Sequence, residues 1–335
     1  MGVRIIRLSL SFFGICLLSF FLVLLMNPHV INSFPIIEHP ALRTFKTMFI
    51  SITLEAFPFI LVGVLVSSVI QVFVPESFIQ RVIPRNPILG IATASLLGIV
   101  FPVCECGMVP VVRRLIQKGF PLYAAVSFLL SGPIINPVVY SATYMAFRSN
   151  PSMTYARMVL AIMVTVIVGL IIYRLVRSNP MKPSAHAHHD HHHHHSSKGS
   201  PGGKLIETFD HAVGEFFDMG KYLIFGAFLT AIVQTFVPRS IMLDIAQNDW
   251  AANAFMMGFA YILSICSTSD AFVASSFAAT FSAGPLLAFL VFGPMLDVKS
   301  TLMLLSTFKT RFVVLLSLIV FMAVWILSYL ADMVI

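Results

Sequence analysis

FPVCECGMVP, residues 101–110, interrupts an apolar run that covers about 88–118. Pro102 cannot donate a backbone hydrogen bond and disfavours a continuous helix through it. Gly107 admits backbone conformations that other residues resist. Backbone groups freed in this way persist at membrane depth only when buried in protein or facing a water-filled cavity. The break is therefore expected to line a cavity, with Cys104, Glu105 and Cys106 at it. Whether the chain passes straight through this break or turns back on itself decides the fold.

The surroundings of the stretch are those of a membrane protein. Apolar residues make up 58% of the chain and charged residues 10%, against about 25% charged in a soluble domain. Apolar runs at about 5–26, 46–72, 121–147, 155–177, 213–236, 284–306 and 310–332 approach or exceed the roughly 20 residues of a bilayer-spanning helix. Two more, about 88–118 and 251–282, are long and interrupted. The expectation is an all-α polytopic protein of the cell membrane, with the lipid bilayer as its first partner. The run after Arg4 and Arg7 has no A-x-A-like cleavage site behind it, which predicts a retained helix rather than a signal peptide. The net charge of +7 sits in loops, with no basic stripe interleaved with aromatics, so no nucleic-acid partner is expected. No Walker loop, H-E-x-x-H or G-x-S-x-G occurs, and no enzyme activity is expected.

The chain repeats itself. LVGVLVSSVIQVFVPES (61–77) aligns without a gap on IFGAFLTAIVQTFVPRS (224–240), with Gly63/Gly226, Gln71/Gln234, Phe73/Phe236, Val74/Val237, Pro75/Pro238 and Ser77/Ser240 identical. The same register pairs Glu55 with Asp218. SGPIINP (131–137) parallels FGPMLDV (292–298), and VCECG (103–107) falls opposite ICSTS (265–269), pairing Cys104 with Cys266. Four matches in one order predict an internal duplication.

Orientation decides the path of 88–118. If that segment crosses once, Arg113, Arg114 and Lys118 land opposite Arg4 and Arg7, as does the polar 179–204 loop. If it enters, turns at PVCEC and returns, both basic clusters join the cytoplasmic side, as the distribution of Lys and Arg in membrane proteins favours. The hairpin gives each half three crossings and inverts the second half. Inverted repeats whose broken segments meet near the midplane are a transporter architecture. The expected organisation is an N-terminal membrane helix and external loop (1–43), a first repeat (44–178), a His-rich cytoplasmic linker (179–204) and a second repeat (205–335). The N-terminus is placed in the cytoplasm.

Several side chains at or near the breaks can do chemistry. A C-x-C pair suits a soft metal or metalloid, and Cys266 is a candidate third ligand, although small buried cysteines can also be inert. In ICSTSDAF (265–272), Ser267, Ser269 and Asp270 are candidates for the path, because an ionisable group in the membrane is a functional hypothesis by default. The same residue types also favour helix starts. Glu55 and Asp218 are candidate gating or coupling acids, or interfacial residues. Asn136 and Asp297 follow Gly-Pro kinks that free carbonyls beside them. Lys299, two residues after Asp297, is not expected to share its helical face and is read as snorkelling to the surface. In the linker, His186, His188, His189, His191, His192, His193, His194 and His195 form a tract able to bind transition metals.

PVCECGMVPVVRRLIQKGFP, SGPIINP and CSTSDAFVAS together resemble the YraQ-type predicted permeases, a family that also includes ArsP-type efflux permeases for trivalent organoarsenicals. The resemblance runs from about residue 44 to the end. It implies a permease, with Cys104 and Cys106 as the thiols that meet a soft centre and Cys266 as the cysteine of the second-half motif. The family's frequent Ser between the two cysteines is Glu105 here. The expected function is export of a soft metal ion, metalloid or small thiol-reactive compound, by the protein alone, as a homo-oligomer or with an accessory membrane protein. The alternative is a thiol-redox or metal-delivery protein that transports nothing.

Overall fold

A computed structural model describes residues 40–73, 75, 84, 86–100, 104–176, 180–182, 201–236 and 249–334. The expected helix at 5–26 and the eight linker histidines lie outside them. The described helices fall into two sets of six. The first set is α1 (Pro40–Phe73), α2 (Pro87–Val100), α3 (Glu105–Gln117), α4 (Leu122–Ser131), α5 (Pro137–Ala146) and α6 (Ser152–Leu175). The second is α7 (Pro201–Phe236), α8 (Asp249–Leu263), α9 (Ser269–Ser275), α10 (Ala283–Met295), α11 (Val298–Thr307) and α12 (Thr310–Asp332). Five stretches are long and apolar enough to cross a membrane: Ala41–Phe73, Ser152–Leu175, Ala212–Thr235, Ala283–Thr307 and Thr310–Asp332. The protein is an all-helical, multi-pass membrane protein.

The equivalent helices α1 and α7 pack antiparallel. Phe45 meets Phe228 edge-on at 5.5 Å between ring centroids, and twelve residues along α1 Phe57 meets Phe216 at 5.2 Å. The second repeat is therefore inverted relative to the first. The equivalent acids Glu55 and Asp218 fall at the same level of this pair.

Helices α2 and α3, of 14 and 13 residues, are each about 20 Å long and too short for a core about 30 Å thick. Their directions follow from three contacts. A Cβ on Gly98, near the end of α2, would stand 2.9 Å from the Cα of Gly132, just past the end of α4. Ile91, in the first turns of α2, and Ser127 of α4 both abut Gly169 of α6. Met108, in the first turn of α3, reaches Gly132, where an added Cβ would stand 2.6 Å from its Cε. So α2 runs parallel to α4, and α3 runs antiparallel to both. The α2–α3 segment is a re-entrant hairpin turning back near Cys104. Its returning limb passes to α4 through a tight turn that needs Gly119, at φ 90°, where the Phe120 N–H bonds to the Leu115 carbonyl at 3.0 Å. That backbone region is open to glycine and strained for most other residues.

The second hairpin repeats the pattern. A Cβ on Gly293 of α10 would lie 3.3 Å from the Ala260 Cβ of α8, the counterpart of the Gly98–Gly132 contact. Ser264 ends α8 at φ 47°, a costly conformation for a residue with a side chain. Its hydroxyl accepts a hydrogen bond from the Val298 N–H at 3.2 Å, fastening the hairpin tip to the start of α11.

Two expected boundaries change. The 121–147 span is divided into α4 and α5, because the chain leaves the helix at Gly132–Asn136 and Asn136 caps a new one, accepting from the Val139 N–H at 2.9 Å. The two pieces still make one crossing: α6 runs back along both, with Gly169 beside Ser127 and Arg157 beside Thr143. The 179–204 segment is not all loop. Helix α7 already begins at Pro201, and residues 180–182 pair with the α11–α12 turn through Lys182 N–H to Thr307 O (3.0 Å) and Lys309 N–H to Pro180 O (2.9 Å). The equivalent helices α4 and α10 lie at the centre, with most of their residues buried.

Candidate functional site

The two hairpin tips meet at one cleft. It is lined by Ile52, Glu55, Ala56 and Phe59 of α1, by Cys104, Glu105 and Cys106 at the start of α3, by Cys266 between α8 and α9, and by Lys299 of α11. Both repeats thus contribute, and all three described cysteines are free thiols facing this space.

The thiols are placed by local backbone chemistry. Cys104 is the N-cap of α3, in an extended conformation, and its carbonyl accepts from Gly107 N–H at 3.0 Å. Cys106 then sits in the first helical turn. The helix start lies hard against α1 because residue 63 is glycine: a Cβ there would collide with the Gly107 backbone. Its repeat partner Gly226 does the same for α11, where an added Cβ would stand 3.1 Å from the Lys299 Cα. Small residues at helix contacts are how membrane helices approach closely.

Lys299 corrects the sequence reading. It is 5% exposed rather than snorkelling, and its ammonium stands 3.8 Å from the Asp297 carboxylate. The helical-face rule failed because Asp297 is not in the helix. It is the extended N-cap of α11, closing a capping box with Ser300 (Asp297 Oδ1 accepting from Ser300 N–H at 2.6 Å, Ser300 hydroxyl accepting from Asp297 N–H at 3.0 Å). The other oxygen, Asp297 Oδ2, makes no hydrogen bond and faces the lysine. Glu105, 4% exposed, also has an oxygen, Oε2, without a hydrogen-bond partner. A buried polar atom left unpaired is costly, so the cleft is charged, tightly walled and incompletely satisfied.

A three-thiolate ligand set is not found. Among the described residues, no group of three His, Cys, Asp or Glu side chains is disposed to hold a metal ion. Cys266 shares the cleft with Cys104 and Cys106 but does not complete such a set with them.

Other candidate residues lie elsewhere. Asp270 is not at the cleft wall: it is buried in an ion pair with Arg157 of α6, Oδ2 to Nη2 at 2.8 Å. Arg157 also donates to the Ser267 carbonyl at 3.2 Å and to the Thr143 hydroxyl at 2.7 Å. The Ser269 N–H bonds to the Cys266 carbonyl at 2.9 Å, starting α9. Asn136 is engaged as a cap, with its amide also donating to the Gly132 and Pro133 carbonyls. Asp218 pairs with Lys221 at 2.9 Å, while Glu55 opens into the cleft.

Sequence reasoning passed over Arg157 and Glu215. Arg157 stands inside the apolar run 155–177, and the rule that flagged Asp270 would have flagged it. Glu215 is buried on α7, accepting from the Ser67 hydroxyl of α1 at 2.7 Å and from Arg114 Nε of α3 at 3.4 Å. Its signal was weak because it sits where α7 is still rich in polar residues.

Two inverted membrane repeats that each turn a broken hairpin toward a shared polar cleft define a permease. The chain belongs to the ArsP_1 family, described as "predicted permease", whose model matches residues 41–333. It is 50% identical over 272 residues to the UPF0718 protein YcgR of Bacillus subtilis, covering 81% of this chain and 91% of that protein. It is 40% identical over 269 residues to a Streptococcus mutans protein described as a "putative two-component membrane permease complex subunit", covering 79% of this chain and 87% of that one. The Escherichia coli UPF0718 protein YraQ is 22% identical over 118 residues, 35% of this chain and 34% of that protein. No solved structure matches the chain.

Proposed function

We propose that the protein is a secondary permease of the cell membrane that exports a soft metal ion, a metalloid or a small thiol-reactive compound through the cleft between its hairpin tips. The supporting observation is that thiols from both repeats, Cys104 and Cys106 from one and Cys266 from the other, line one space. Thiol groups select soft partners, and a site at the junction of inverted repeats is reached from alternate sides as the repeats rock. In this reading Cys104 and Cys106 grip the substrate and Cys266 receives it across the repeat boundary. Glu55, Glu105 and Lys299 set the charge of the path. Asn136 and Asp297 hold the helix breaks, while Asp270, Ser267 and Ser269 hold the second hairpin in place. Asp218 braces α7 beside it. The description of the Streptococcus relative as one subunit of a two-component complex supports an accessory membrane protein as partner.

The test is a deletion strain screened for hypersensitivity to metal ions, metalloids and organoarsenicals, then complemented with the full chain. The intact gene restores resistance; Cys104→Ser and Cys106→Ser do not, at equal protein levels. Full resistance with both variants would remove the thiols from the transport path.

A further inference from the structure

Two ion pairs bridge the repeats, and they lie on opposite sides of the cleft. The first joins Arg114 of α3 to Glu215 of α7 at 3.4 Å. The second joins Arg157 of α6 to Asp270 of α9 at 2.8 Å. In each, the arginine belongs to the first repeat and the carboxylate to the second. Their placement follows from the path of the chain. Arg114 is eight residues beyond Cys106, about 12 Å along the helix, toward the turn at 118–121. Thr143 and Arg157 flank the opposite turn, at 147–151, which the chain reaches after crossing through α4 and α5. The cleft, at the start of α3, lies between the two levels.

We propose that these two pairs are the gates of the permease, Arg114–Glu215 on the Lys118 face and Arg157–Asp270 on the other, and that the Arg114–Glu215 gate is the one that opens in the resting protein. The proposal rests on the permease reading above and adds how access is controlled. Repeats that rock against each other must separate one bridging pair while the other holds. Breaking either strands a buried charge, which disfavours opening both together and so guards against a leak.

The two gates are not equally tight. Arg157 is fully buried and spreads its bonds over Asp270, the Ser267 carbonyl and Thr143. Arg114 is 19% exposed at its side chain and reaches Glu215 by one contact of 3.4 Å, on a carboxylate oxygen it shares with the Ser67 hydroxyl at 2.7 Å, while each pair leaves one carboxylate oxygen, Glu215 Oε1 or Asp270 Oδ1, without a hydrogen bond. The wetter, looser pair is the easier to part.

The experiment is labelling of the cleft thiols by a membrane-impermeant maleimide, applied to sealed right-side-out and inside-out vesicles carrying the full chain with Cys16→Ser. The parent protein labels faster from the Lys118 face. Glu215→Gln raises that rate about five-fold or more, the low end of what one coupled contact shifts, and lowers labelling from the other face. Asp270→Asn raises labelling from the opposite face, and the exchange Arg157→Asp with Asp270→Arg returns it toward the parent rate, which a misfolded variant would not do. Equal labelling of the parent from both faces overturns the order of opening. Labelling unchanged by either single variant, or raised equally from both faces, overturns the gates. Unchanged labelling in a strain that still shows substrate resistance leaves the permease reading standing and removes the gates alone. Sided shifts without any transported substrate do the reverse.

Discussion

Gly63 of α1 and Gly107 of α3 touch backbone to backbone, leaving no room for a Cβ on Gly63. This contact holds the thiol-bearing start of α3 against the wall that carries Glu55. Gly63→Ala is expected to force the helices apart at a cost of about 1–3 kcal/mol, lowering both thermal stability in detergent and resistance in the complemented strain. Gly226→Ala meets the Lys299 Cα at 3.1 Å and is expected to lose less. Equal, undiminished stability of the two variants would contradict the close approach.

Arg157 and Asp270 form a pair whose halves cannot be removed singly without penalty. Arg157→Met leaves Asp270 as an uncompensated buried acid and is expected to destabilise the protein by about 3–5 kcal/mol. Arg157→Met combined with Asp270→Leu is expected to recover most of that loss, read as the melting temperature of the purified protein. A single variant as stable as the parent would contradict the burial of the pair.

Lys299→Met removes a cation that shares the cleft wall with Glu105 and stands 3.8 Å from the Asp297 carboxylate. A loss of about 3 kcal/mol is expected, the low end for stranding a buried charge. Asp297→Asn in the same protein keeps the cap acceptor while deleting the stranded charge, and is expected to restore stability without restoring resistance to substrate. Restored resistance would take Lys299 out of the path.

Asn136→Ala tests the opposite assignment. As the cap of α5, Asn136 is expected to contribute about 1 kcal/mol, so its loss lowers the melting temperature while leaving thiol labelling sided as in the parent. A change in sidedness would place Asn136 in the path rather than behind it.

The sequence made the crossings legible because lipid imposes a length. The 310–332 span matches α12 (Thr310–Asp332), and 155–177 lies close to α6 (Ser152–Leu175). The hairpin was legible through charge, since the expected grouping of Arg113, Arg114 and Lys118 with Arg4 and Arg7 required a returning segment. The Cys104–Cys266 match also pointed to residues that now share one cleft. What stayed hidden depended on orientation about a cap or on partners far along the chain. Asp297 and Lys299 meet because one is extended and the other helical. Asp270 is turned to Arg157, 113 residues away, and no spacing rule relates them.

The antiparallel pairing of α1 with α7 sets opposite demands on the two copies. Units that face opposite ways across a membrane cannot both be oriented by the same distribution of positive residues. In the register that pairs Cys104 with Cys266, the basic residues Arg113, Arg114 and Lys118 stand opposite Ser275, Ser276 and Thr280. One copy carries the anchoring charge and the other does not, as opposite directions require.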